Sequence, residues 1–290
     1  MSSDAPATAQ ILSAISGFRL VTADLPRLRH FYQDVLGFVA DGPEQAIAGD
    51  EITLLGVRGS GRRQVLRIGN QSVAIEQFEP PGRPYPADGN AASLWFQHLA
   101  LVVADMASAY QRVRGAAAIS DGGPQHLPAS SGGVAAYKFR DPDGHPLELL
   151  HFPDGSRPRA WQGKAAGAGQ IALGIDHSAI SVADADASAA FYGALGLKPG
   201  ERTLNEGPKQ AHLDNLRDVR VTVAPMQADM ATPHLELLFY QVPRGAAGPA
   251  LRANDIAATR IAWRGTRAAL LRDPDGHLQQ AASPDQEPPQ

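Results

Sequence analysis

Two histidines in this chain stand seven residues ahead of an aspartate, His98 before Asp105 and His177 before Asp184. Two glutamates, Glu148 in PLELLHF and Glu236 in HLELLFYQ, sit between leucines. A charged residue inside such an apolar strand is costly unless it faces water, a partner or a metal ion. Alternation along a strand puts His98 with Ala100 and Val102, opposite Leu99, Leu101 and Val103, and His177 with Ala179 and Ser181, opposite Ile180 and Val182. Each histidine thus takes the less crowded face, and each segment offers one imidazole and one carboxylate. Cysteine is absent, so any metal is held by His, Asp or Glu. Imidazole suits Zn, Ni, Co, Mn and Fe(II), and carboxylate oxygens complete an octahedral sphere with positions open to substrate oxygens.

A repeated frame carries these residues. GFRLVTADLPRLRHFYQDVLGF from Gly17, HLALVVADMASAYQRV from His98 and HSAISVADADASAAFYGALGL from His177 each read as strand, aspartate cap and helix. FRDPDGHPLELLHF from Phe139 is echoed by LRDPDGHLQQAA from Leu271, and Asp-Pro-Asp-Gly is turn chemistry between two strands. His145 and His277 belong to those turns and are expected to be structural. His151 should point away from Glu148, and His30 lies on a predicted helix. Four β-α-β-β-β units result, over about 15–81, 95–153, 173–243 and a shortened 249–283. They group as two domains, 15–153 and 173–283, joined by a Gly-, Ala- and Pro-rich linker over 154–172. The terminal SPDQEPPQ reads as a frayed tail.

Composition narrows the partners. At 43% hydrophobic and 19% charged, the 290 residues can bury real cores, and a net charge of −4 supplies no basic field for nucleic acid or an anionic membrane. A small-molecule partner is expected instead. The apolar stretch from Ile11 to Ile15 is too short for a signal peptide or a membrane span, which makes the cytoplasm the expected location. The chain is expected to be a monomer or a homodimer.

The three strand-Asp-helix segments, the helix ends FYQDVLGF and FYGALGL, and the two DPDGH hairpins resemble the vicinal oxygen chelate superfamily over roughly residues 15–283. That superfamily includes glyoxalase I, extradiol dioxygenases, methylmalonyl-CoA epimerase and bleomycin or fosfomycin resistance proteins. The resemblance implies an α+β fold in which βαβββ modules pair into cup-shaped, curved mixed sheets with a divalent metal inside. Carried over, first-strand ligands match His98 and His177, and last-strand ligands match Glu148 and Glu236. The first unit departs with Gly17 and Ala74, the fourth with Gly248 and Gln280. If units two and three share a cup, all four ligands meet, as in metal-dependent glyoxalases. If units one and two pair instead, each cup holds one His and one Glu. Loss of both ligand positions from units one and four favours the shared cup.

Three functions follow. The first is a glyoxalase- or epimerase-like lyase or isomerase acting on a small oxygenated substrate through a metal-stabilised enediolate, with Glu148 or Glu236 as both ligand and base. The second is an Fe(II) extradiol dioxygenase using His98, His177 and one Glu as a facial triad. The third is a metal-free binding protein of the drug-resistance kind, with Trp95, Phe96 and Trp263 lining its pocket. Candidate substrate contacts are Tyr137, before the first DPDGH turn, and Asn205, Gln210 and His212 in LNEGPKQAHLDNL, placed between two strands of unit three.

Overall fold

The computed structural model describes residues 10–129, 132–153 and 155–283. Asp154, heading the predicted linker, and the tail beyond Ser283 lie outside the described residues.

The first module runs β1 (Leu12–Thr22), α1 (Leu25–His30) with a π-helical turn over Phe31–Val35, β2 (Val39–Ala40), β3 (Gln45–Ala46), α2 (Gly49–Leu54), β4 (Ser60–Ile68) and β5 (Gln71–Glu79). The second comprises β6 (Gln97–Val103), α3 (Met106–Val113), β7 (Ala117–Ala118), β8 (Gln125–His126), β9 (Ala135–Arg140) and β10 (Pro146–His151). The third comprises β11 (Ala172–Ser181), α4 (Ala185–Ala194), β12 (Lys198–Pro199), β13 (Thr203–Glu206), α5 (Pro208–Asp214), β14 (Arg220–Gln227) and β15 (His234–Val242). The shortened fourth retains only β16 (Arg260–Gly265), β17 (Ala269–Arg272) and β18 (Leu278–Ala282).

The three helices following a first strand start where the repeat predicts. Asp24 accepts from the Arg27 N–H at 3.1 Å, Asp105 from Ser108 at 2.7 Å, and Asp184 from Asp186 and Ala187 at 2.8 and 3.0 Å. The DPDGH histidines are structural as expected. His145 Nδ1 meets Asp141 at 2.8 Å and its Nε2 the Ile256 carbonyl at 2.9 Å, while His277 Nε2 meets the Ser181 carbonyl at 3.0 Å. LNEGPKQAHLDNL, by contrast, contains a helix. Gly207 at φ 89° turns the chain, Pro208 starts α5, and left-handed Asn215 ends it.

Pairing of the modules cuts across the halves 15–153 and 173–283. A ten-stranded sheet has the order β12-β14-β15-β11-β6-β10-β9-β7, with β13 on β14 and β8 on β9, so it joins modules two and three. An eight-stranded sheet, β17-β18-β16-β1-β5-β4-β2 with β3 on β4, joins modules one and four. One core spans both sheets, with Leu99, Leu101, Leu147, Leu149, Leu235 and Leu237 from the first and Phe18, Leu20, Ile75 and Ile261 from the second. Trp263 is buried in this core, its indole N–H donating to Gln279 at 2.8 Å, so it lines no ligand cup.

In the eight-stranded sheet, β16 is the first strand of module four, and Arg260 rather than Gly248 occupies the place of His177: Arg260 pairs with Arg19 as His177 pairs with Ala100. Arg260 is fully buried and ion-paired to buried Glu76. Arg63 bridges Glu76 and Glu51 at 2.8 and 2.6 Å, and Gln280 donates to Glu51 at 2.7 Å. Guanidinium–carboxylate pairs thus stand here where the other sheet carries His and Glu. Among the described residues, no helix is long and apolar enough to cross a membrane.

Candidate metal and substrate site

Register brings the four predicted ligands to one face of the ten-stranded sheet. Central strands β6 and β11 run antiparallel with His177 opposite Ala100 and His98 opposite Ala179. Outside them, parallel β10 sets Glu148 beside Ala100, and parallel β15 sets Glu236 beside Ala179. Alanine at 100 and 179 leaves room above the sheet for the longer side chains on either side. The intervening leucines face the core, as the alternation requires.

Distances tie these groups together. His98 Nε2 lies 2.9 Å from Glu148 Oε2, and His177 Nε2 lies 3.7 Å from the same oxygen and 3.5 Å from Glu236 Oε2. Donor atoms of His98, Glu148 and His177 all fall within 4.8 Å of one another. Metal–ligand bonds of about 2.0–2.2 Å at right angles put adjacent ligand atoms about 3 Å apart, so these edges suit one coordination sphere. Both ring nitrogens of buried His98 lack a hydrogen-bond partner, despite the close approach of Glu148. A buried imidazole without a hydrogen bond beside the Glu148 carboxylate, with His177 reaching both glutamates, is a donor set that a divalent cation would satisfy, and the residues fit such an ion.

Residues that the sequence did not flag hold this cluster. Asp176, 6% exposed, takes His177 Nδ1 at 3.0 Å through one oxygen and the indole N–H of Trp161 at 2.6 Å through the other. Trp161, from the predicted linker, is fully buried. Nδ1 is thereby committed to Asp176, and Nε2 turns to Glu148 and Glu236. His234 Nε2 reaches Glu236 Oε1 at 3.4 Å. Lys138 stands opposite Glu148 across the β9–β10 ladder, 3% exposed, with Nζ 2.7 Å from Asp214. Asp214 also accepts from Gln210 Nε2 at 2.8 Å and from the Tyr240 hydroxyl at 3.0 Å. Lys138 had a legible signal, being a charge inside the apolar strand AAYKFR, the same signal that marked Glu148. Asp176, Asp214 and Trp161 gave none, because their partners come from distant segments.

Electrostatics follow from this packing. Burial works against ionisation of Glu148, but the Lys138 ammonium and the two imidazoles hold its pKa well below the usual carboxylate range. Burial also opposes charge on His177, yet Glu236, Asp176 and Glu148 keep its pKa well above the ordinary histidine value. His98 moves the other way, pushed down by burial and by the nearby Lys138. For Lys138, burial is outweighed by Asp214 and Glu148, which raise its pKa.

A cavity of about 290 Å³ opens over this face. His98, Glu148, His177, Glu236, Asp176 and Lys138 line its polar part, and Leu127, Val134, Leu150, Phe152, Val221 and Leu238 give apolar wall. Of the predicted substrate contacts, Asn205 and Gln210 line the cavity. Tyr137 and His212 do not. Tyr137 faces the core between Tyr110 and Phe139, because neighbouring Lys138 takes the cup side of the strand. His212 lies on the outer side of α5, half-exposed and 3.3 Å from Asp121. Phe96 packs in a smaller core cluster, edge-on to His98, and Trp95 lies at a separate cleft near the second DPDGH turn.

Paired strand-helix-strand modules whose curved sheet carries histidines and carboxylates on one face define a cup-type α+β protein. Residues 14–149 match the family described as the Glyoxalase/Bleomycin resistance protein/Dioxygenase superfamily, in keeping with the resemblance to the vicinal oxygen chelate superfamily. Glyoxalase I from Zea mays is 17% identical, with 95% of this chain and 92% of that one covered at a TM-score of 0.57. A Bacillus subtilis subsp. subtilis str. 168 protein provisionally assigned as a dioxygenase is 15% identical, covering 97% and 87% at 0.55. At these identities the likeness is one of fold. No curated protein sequence matches the chain.

Proposed function

We propose that the chain is a divalent-metal-dependent lyase or isomerase acting on a small oxygenated molecule by proton transfer next to a carbonyl. The observation that carries this reading is the meeting of His98, Glu148, His177 and Glu236 on one face of one sheet, over a cavity. When bound there, a divalent cation supplies Lewis-acid polarisation of substrate oxygens. His98, His177 and Glu148 are the residues to hold it, their donor atoms being mutually close.

Glu236 is the better proton acceptor of the two glutamates. Its side chain is 19% exposed against 8% for Glu148, and its charged neighbours are the imidazoles of His177 and His234, whereas Glu148 also feels the Lys138 ammonium. Glu236 takes the proton from the carbon beside the carbonyl and returns it to the same or the adjacent carbon, while the apolar wall excludes water. The substrate body must be small and largely apolar to fill about 290 Å³ between Leu127, Phe152 and Leu238.

A second reading, an Fe(II) ring-cleaving dioxygenase, is favoured by one observation: the donor group His98, His177 and Glu148 is two histidines and one carboxylate, the facial-triad composition. Metal analysis of protein purified without chelator should give about one equivalent per chain, a stoichiometry set by one shared cup. Solvent deuterium incorporation next to a carbonyl then supports the lyase or isomerase, and oxygen uptake with catechols the dioxygenase. Absence of metal, together with no binding of added Zn, Co, Mn or Fe(II), sinks both and leaves the metal-free binding protein.

A further inference from the structure

The polar corner of the cavity formed by Lys138, Asp214 and Gln210 is incomplete within the protein. An ammonium has three N–H donors, and among the described residues the Lys138 ammonium makes one hydrogen bond, to Asp214. Gln210, 4% exposed, donates to Asp214, and its Oε1 is buried without a partner. Burying an ammonium is expensive, and one carboxylate satisfies part of that need. Donor capacity remains on a residue that lines the cavity beside Glu148.

Charge decides what can complete the corner. Glu148, Glu236 and Asp176 line the cup, and Asp214 stands behind Lys138; against these four carboxylates stands one ammonium. Negative charge stays in excess even after one divalent cation or one imidazolium is added. No arginine is among the described residues that line the cavity, so nothing there is built to clamp a carboxylate or phosphate in two-point fashion. The walls beyond the polar floor are apolar. Glu236, the module-three counterpart of Glu148, has Pro225 opposite it where Glu148 has Lys138, so the donor lies on one side of the cup only.

We propose that the cup selects an uncharged, largely apolar molecule bearing a carbonyl oxygen, and that Lys138 donates a hydrogen bond to that oxygen. This deepens the reading above, on which it rests for the cup being the substrate site, and it orients the ligand with its carbonyl toward module two. A bulky anionic conjugate is excluded by the same charge and volume.

Acetophenone labelled with ¹³C at the carbonyl tests this, beside benzoate, its anionic analogue, and ethylbenzene, which lacks oxygen. Metal content is measured separately on each sample, so a failure of the metal reading is seen independently of Lys138. Binding is followed by NMR on the full chain, as isolated and after loading with Co²⁺. Expected results are a downfield carbonyl shift on binding and at least tenfold weaker binding of benzoate. Lys138→Met alone strands a buried carboxylate and is paired with Asp214→Asn, which keeps an oxygen for Gln210 and Tyr240. The double variant should lose acetophenone affinity by roughly 10- to 100-fold, the scale of a hydrogen bond from a charged donor, with ethylbenzene unchanged. Lys138→Arg should restore part of the loss. Equal or tighter binding of benzoate, an unchanged affinity in the double variant, or no binding of acetophenone to the wild-type chain at millimolar concentration overturns the proposal.

Discussion

Asp176→Asn removes one charge and no volume, and the surrounding hydrogen bonds dictate its effect. The Trp161 indole is a donor only, 2.6 Å from one Asp176 oxygen, and His177 Nδ1 is 3.0 Å from the other. An asparagine has one oxygen for two donors. If that oxygen keeps the indole, its NH₂ faces Nδ1, which must then accept, and the imidazole proton moves to Nε2. Nε2 is the nitrogen directed at Glu148 and Glu236, so the lone pair needed for a metal is lost. If the amide flips, two donors meet in a site that is 6% exposed at residue 176 and closed at Trp161. Either outcome forfeits a charge-assisted hydrogen bond of about 1.5–3 kcal/mol. Metal affinity should accordingly fall roughly 10- to 100-fold, the usual consequence of losing a group that orients a ligating histidine. The assay is competition of Zn²⁺ or Co²⁺ between the protein and a chromophoric chelator. Imidazole ¹⁵N shifts of the metal-free protein report which nitrogen carries the proton. An affinity within threefold of wild type, in a variant that melts normally and has changed tautomer, would refute the reasoning.

Other outcomes follow from the same structure. Gly174→Ala would place a Cβ 2.6 Å from Gln71 Oε1 and 2.9 Å from the Trp161 ring, so a loss of about 1–3 kcal/mol of stability and a shifted tryptophan emission are expected; unchanged stability and emission together contradict the packing. His145 meets acceptors at both ring nitrogens, and although burial opposes its charge, Asp141 raises its pKa above 6.5. Its contribution is therefore fully present below about pH 6.5 and lost as pH rises through the higher folded-state value. The difference in urea midpoint between wild type and His145→Gln should shrink toward pH 9, and a pH-independent difference argues against the pairing. Burial opposes ionisation of Asp255, but Arg83 at 2.5 Å and the Arg252 and Arg83 N–H groups at 2.7 and 2.8 Å bring its pKa from 3.8 to about 2. Asp255→Asn should cost about 2 kcal/mol at neutral pH, and that cost should fade as wild type is acidified from pH 4 to pH 2. A cost that persists at pH 2 points instead to packing.

Much of this protein is legible without its fold. Equal spacing from His98 to Asp105 and from His177 to Asp184 marks repeated strand-helix starts, because a cap must sit where a strand ends and a helix begins. Apolar flanks at Glu148 and Glu236 mark carboxylates on an inner face, since alternation fixes which neighbours point away. The same rule, applied one residue along from Tyr137, exposes Lys138. What the sequence could not decide is which modules share a sheet. Pairing of β6 with β11, and of β1 with β16, depends on matching whole hydrophobic faces between segments distant in the chain, and no local pattern encodes that choice. That pairing gathers two His/Glu pairs into one cup and leaves Arg260 and Glu76 at the comparable face of the other sheet. The partners of the site's supporting residues were equally hidden. Trp161 finds Asp176, and Asp214 finds Lys138, because hydrogen-bond needs inside a closed interior are met by whatever group the packing brings near, irrespective of chain distance.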